Sequence, residues 1–81
     1  MKISVDISMY PMNQNYEKPI LEFIEKLRNS PFHILENPLT TQIYGEYDAV
    51  MDFLKTSMKE SFLDEDMCVF TLKFIKGDRT L

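Results

Sequence analysis

Three features of this 81-residue chain predict an α+β sandwich. Near both ends, apolar residues alternate with polar ones on a period of two, as Ile3-Val5-Ile7-Met9 and Cys68-Phe70-Leu72-Phe74. Two longer stretches carry the helical period, one through Ile20, Ile24 and Leu27 and one through Val50, Leu54, Met58 and Phe62. Between those stretches lie two short strand-like runs divided by the turn pair Asn37-Pro38. The order is β-α-β-β-α-β with short connections. It closes as a four-stranded antiparallel sheet with two helices on one face, the ferredoxin-like sandwich. Right-handed crossovers put the first and third strands at its centre.

The first strand is expected over Lys2 to Tyr10, ended by Pro11, which has no backbone N–H to continue a ladder. Met12 to Tyr16 form a polar loop, with Asn15 or a neighbour placed to cap the helix that follows. That helix covers roughly Glu17 to Asn29. Pro19 fits a first turn, Glu17 suits the positive end of the helix dipole, and Leu21 and Phe23 widen the apolar side. Ser30-Pro31 closes it. Phe32 to Glu36 is a short strand, and a third strand runs from Leu39 or Thr40 to Glu46, with Gly45 marking the approach to the next helix. The second helix is expected from Asp48, its N-cap, to Leu63. An acidic loop, Asp64-Glu65-Asp66, leads to the last strand, Met67 to Ile75, which Lys76-Gly77-Asp78 stops.

Composition narrows the function classes. Residues 1–81 make one small domain, 44% hydrophobic and 12% aromatic, too apolar for disorder and short enough for association to be a natural supplement. A net charge of −4 argues against nucleic acid, which needs clustered Lys and Arg, and suits a neutral or cationic small ligand. The single Cys68 permits no internal disulfide, and no Cys–His spacing resembles a metal site. No apolar run approaches a membrane span and the start of the chain enters a strand, so a soluble, cytoplasmic protein is expected.

With the helices on one face, strand parity assigns the residues of the other. Ser4, Asp6, Ser8 and Tyr10 point there from the first strand, Thr40, Gln42, Tyr44 and Glu46 from the third, and Val69, Thr71, Lys73 and Ile75 from the fourth. A one-residue slip of the third strand would exchange Thr41 for Thr40 and Gln42. Residue by residue, the plainer expectation is a half-buried interface on which Asp6 pairs with Lys73 and the hydroxyls satisfy one another. Taken together, donors, acceptors and aromatic rings converging on two central strands favour a ligand.

The segments "SMYPM" at 8–12, "PLTTQIYGEYDAVMD" at 38–52 and "TLKF" before "DR" at 78–79 resemble the thiamine-binding family of ferredoxin-like domains. The resemblance spans essentially the whole chain, and its most specific part is the strand-turn-helix "TTQIYGEYD". It implies a single-copy domain that binds thiamine or its hydroxymethylpyrimidine precursor, as homodimer or homotetramer through the sheet face, with no cofactor required. The matching positions are Ser8, Thr40, Thr41 and Gln42; Asp6 and Lys73 enter by strand parity. An aminopyrimidine offers an amine that Asp6 can accept, hydroxyls and an amide can complete its polar contacts, and Tyr10 or Tyr44 can stack on its ring.

Other signals weigh less. His33 has no partner at a catalytic spacing, and Cys68 reads as a small core hydrophobe with no base to activate it. Arg28 and Arg79 have no amide nest for a phosphate. With no nucleophile–base–orienter set in view, no enzyme is expected. The leading expectation is a non-catalytic binding protein in vitamin handling. The alternative is a structural or regulatory oligomerisation module. A small dimeric enzyme on an oxidised aromatic or lactone, using His33 or a Tyr, ranks third.

Overall fold

The computed structural model describes residues 1–80. Its elements are β1 (Lys2–Pro11), α1 (Glu17–Arg28), β2 (His33–Glu36), β3 (Thr41–Glu46), α2 (Tyr47–Asp64) and β4 (Cys68–Lys76). The four strands pair antiparallel in the order β2-β3-β1-β4, with β1 and β3 central as the connection rules require. Both helices lie on one face. The core there joins Ile3, Val5, Ile7 and Ile43 of the sheet to Phe23 and Leu27 of α1 and Val50 and Leu54 of α2. Each such side chain withdrawn from water contributes about 1.5–3 kcal/mol before entropy is subtracted. Phe70 joins both helices, tilted on Phe23 at 5.0 Å and edge-on to Phe62 at 5.4 Å.

Register settles which residues share a face. Val5 lies opposite Ile43 and Phe74, and Asp6 opposite Gln42 and Lys73. Thr41 therefore points to the helices and is buried, while Gln42 and Tyr44 point away, without the one-residue slip. His33 and Leu35 of β2 share that uncovered face, since they pair with Tyr44 and Gln42.

α1 begins at Glu17 as expected, but the capping of both helices differs from expectation. Asp48 is not the N-cap of α2: the helix begins at Tyr47, Glu46 holds the cap position in extended backbone, and Asp48 falls in the first turn. The opposite end of the chain supplies what a cap would. Tyr47 N–H donates to the Met1 carbonyl at 2.8 Å, and the terminal amine bonds the Glu46 carboxylate at 2.6 Å. At α1, Tyr16 occupies the cap position with no side-chain bond, so Asn15 does not cap it. β1 also continues one residue past its expected end: Pro11 stands opposite Cys68 of β4, and its nitrogen, which carries no hydrogen, faces the side that β3 does not reach.

Gly45 is confined by packing. A Cβ there would stand 2.7 Å from Phe32 Cδ1 and 3.0 Å from Val50 Cγ2, and the Phe32 ring is itself held edge-on against Phe53 at 5.5 Å. Gly45→Ala should therefore destabilise the fold by about 1–3 kcal/mol through overpacking, read as a lower midpoint in urea with an unchanged slope.

Candidate functional site

A candidate site arises from a mismatch of strand lengths. β3 begins at Thr41, opposite Ile7, whereas β1 runs on to Pro11. Successive strand residues turn their backbone groups to alternate sides. The Ile7 carbonyl meets Thr40 on the β3 side, while Met12 N–H pairs with Met67 of the β4 side. By the same alternation Met9 N–H and C=O, and Pro11 C=O, point past the start of β3 into open space.

That space is a groove of about 510 Å³ between the end of β1, α1 and the Asn37–Thr40 loop. Ile20, Phe23, Ile24 and Leu27 form its α1 wall, and Tyr10, Met12 and Tyr16 stand about its mouth. Ser8, Asn37, Thr40 and Thr41 add polar groups. The loop is ordered by its own bonds. Asn37 Oδ1 accepts from the N–H groups of Leu39 and Thr40 at 3.0 Å each, and Asn37 N–H donates to the Thr40 carbonyl at 3.1 Å. Thr40 anchors it to the sheet: its hydroxyl bonds the Asp6 carboxylate and lies 3.0 Å from the Ile7 carbonyl. Ser8 Oγ makes a long contact, 3.5 Å, to the Leu39 carbonyl.

The eight sequence-predicted residues do not form one cluster. Ser8, Tyr10, Thr40 and Thr41 line the groove. Asp6 reaches it only through Thr40. Gln42 and Lys73 flank Asp6 across the uncovered face, outside the groove. Lys73 lies opposite Asp6 in register, yet Asp6–Lys73 is not among the ion pairs within 4.0 Å of the described residues; the carboxylate is taken by Thr40 instead. Tyr44 sits toward the other end of the sheet, its ring 5.6 Å from His33, beside a shallower polar groove with Lys2, Gly45, Asp78 and Thr80. Sequence reading missed the rest of the lining, among it Met9, Pro11, Tyr16, Ile20, Ile24 and Asn37. The available signal was the length of the first strand, which exceeds that of the third.

Ser4 has a structural task. Its hydroxyl donates to the Gly77 carbonyl and accepts from Arg79 N–H, both at 2.8 Å, so the segment after β4 folds over this end of the uncovered face. Gly77 makes the turn with a φ of 95° that other residues rarely adopt. Hydrogen bonds from the Thr80 N–H and hydroxyl hold Asp78 below the usual aspartate range. Cys68 is half-buried rather than fully buried; its partial burial, with Glu65 nearby, pushes the thiol above its usual value. The described residues include no group of three or more His, Cys, Asp or Glu that could hold a metal. None of their helices is long and apolar enough to cross a membrane.

A profile of the YKOF-related family matches residues 2–75. The chain belongs to that family. Among curated proteins, none matches this YKOF-related domain. Solved structures do. A Streptococcus pneumoniae protein superposes with a TM-score of 0.89 at 23% identity, over 98% of this chain and 90% of its own. A Thermotoga maritima protein described as a candidate for thiamine biosynthesis or salvage superposes with a TM-score of 0.86 at 22% identity, over 95% and 85%. A domain of unknown function from Bacillus cereus follows at 0.80 and 16%, over 99% and 80%. At such identities the likeness establishes the ferredoxin-like fold.

Thr40→Val keeps the shape of the side chain and removes the bond that ties the loop to β1. It should cost about 1–3 kcal/mol, because the part-buried Asp6 carboxylate loses its partner. Faster amide exchange confined to Asn37–Thr41 and the end of β1 would register the loosened groove.

Proposed function

We propose that this YKOF-related domain is a non-catalytic binding protein for a flat aminopyrimidine, thiamine or its hydroxymethylpyrimidine precursor, held in the groove at the end of β1. The observation that carries this reading is the meeting, in one groove, of apolar walls with unpaired backbone groups. Met9 offers an N–H and a C=O side by side, and an aminopyrimidine presents an acceptor nitrogen beside an amine donor. Ser8 and Thr41 stand close enough to add neutral hydrogen bonds, and Tyr10 or Tyr16 can cover the ring plane. The T. maritima description, attached to a protein of the same fold, points to the same ligand class. Binding is reversible sequestration for vitamin handling in the cytoplasm, needs no cofactor, and takes place in a homodimer or homotetramer.

Calorimetric titration with thiamine, its phosphates and hydroxymethylpyrimidine tests this directly. At least one of them should bind in the micromolar range. Tyr10→Ala should weaken that ligand about five- to tenfold while leaving the urea midpoint in place, since Tyr10 is half exposed and outside the core. Neither heat nor thermal stabilisation with any of these ligands at millimolar concentration would reject the reading.

A further inference from the structure

A chain with nine basic and thirteen acidic residues leaves the groove at the end of β1 without one: among the described residues, none that lines it carries a formal charge. Other grooves differ. Lys55 and Lys59 line the one between α2 and β4, and Lys2 and Asp78 the one beside Tyr44. The cations of α1, the helix that walls the groove, are already engaged. Lys18 faces Glu22 at 4.0 Å and Lys26 faces Glu60 at 3.5 Å. Arg28, which follows the wall residue Leu27, grips Glu36 with two bonds of 2.8 Å. Directly behind the lining stands a negative charge, the Asp6 carboxylate bonded to Thr40.

Backbone donors give no substitute. A phosphate without a cation is held by consecutive amides of a loop or by a helix start. Here the amides of Leu39 and Thr40 do converge, but on the Asn37 side chain of their own loop, which takes both at 3.0 Å. The start of α1, next to Tyr16 at the mouth, holds Glu17 in its first turn, and Pro19 brings no N–H.

We propose that the groove selects a free alcohol against its phosphate ester: it takes hydroxymethylpyrimidine and excludes the same pyrimidine once phosphorylated. This rests on the aminopyrimidine reading above and adds the ligand's charge to it. A phosphate monoester carries about −1.5 to −2 charges near neutral pH. In this pyrimidine the ester is attached through a single carbon, at the ring position next to the amine. A ring whose amine meets the edge of β1 therefore brings the phosphate to the groove wall. There it loses hydration and finds neither a cation nor a free set of amides, which is the most unfavourable way to bury an ion. The net charge of −4 adds repulsion on approach. The neutral alcohol avoids both penalties. Its hydroxyl needs one partner, and Ser8 and the Pro11 carbonyl lie within the groove.

Calorimetry on the intact chain with hydroxymethylpyrimidine, its monophosphate and thiamine, in one buffer, tests this. The ester should bind at least about a hundredfold more weakly than the alcohol. Met12→Lys sets an ammonium at the mouth, on a side chain that is exposed and outside the core, and should narrow that gap about tenfold. The selectivity is overturned, and the aminopyrimidine reading kept, if the ester binds as well as the alcohol or if thiamine binds and the alcohol does not. A gap that Met12→Lys leaves unchanged would mean exclusion by shape, and would overturn the charge argument. If none of the three compounds binds, the aminopyrimidine reading falls and the selectivity with it.

Discussion

The structure depends on β1. Every other strand pairs with it or with its partner β3, and the apolar side of this one strand, Ile3-Val5-Ile7, forms the sheet's half of the core between the two helices. Its ends are used as well. The carbonyl just before it receives the first N–H of α2, so the amino terminus does for that helix what a capping side chain would. Its far end outruns β3 and leaves backbone groups without a strand to pair with. Buried backbone polar groups need partners, so a strand that continues past its neighbour creates a demand that a loop, water or ligand must meet.

Part of that demand is met within the chain. Thr40 bonds Asp6 and the Ile7 carbonyl, and Asn37 organises the turn before it. Beyond Ile7 the groove stays open, with α1 as its floor. Apolar walls beside free strand-edge groups are the feature on which the proposed binding of a planar heteroaromatic rests. Specificity in such a site comes from polar groups left unpaired by the wrong ligand more than from area buried.

The opposite edge of the sheet is finished differently. β4 pairs with β1 along its length, and Phe70 of β4 packs against Phe23 of α1 and Phe62 of α2, which ties this edge to both helices.

Much of this was legible in the residues alone. Period-two runs, helical runs and the Asn37-Pro38 turn suffice for the order of elements, the sheet topology and the face on which each strand residue lies, because these depend on local periodicity and chain-path rules. Tyr10 came by that route, whereas Ser8, Thr40 and Thr41 were named on the family resemblance; all four line the groove. Asp6, Gln42, Tyr44 and Lys73 share the uncovered face but not the groove, since parity assigns a side and says nothing of distance along it. Asp48 was misassigned as a cap because the Met1 carbonyl, 46 positions away in sequence, lies beside Tyr47 only in the folded chain. The groove itself, with Met9, Pro11, Tyr16 and Ile24 around it, belongs to the tertiary structure. It exists only where β1 overhangs β3 and α1 crosses beneath, and no local pattern records a gap between elements distant in sequence.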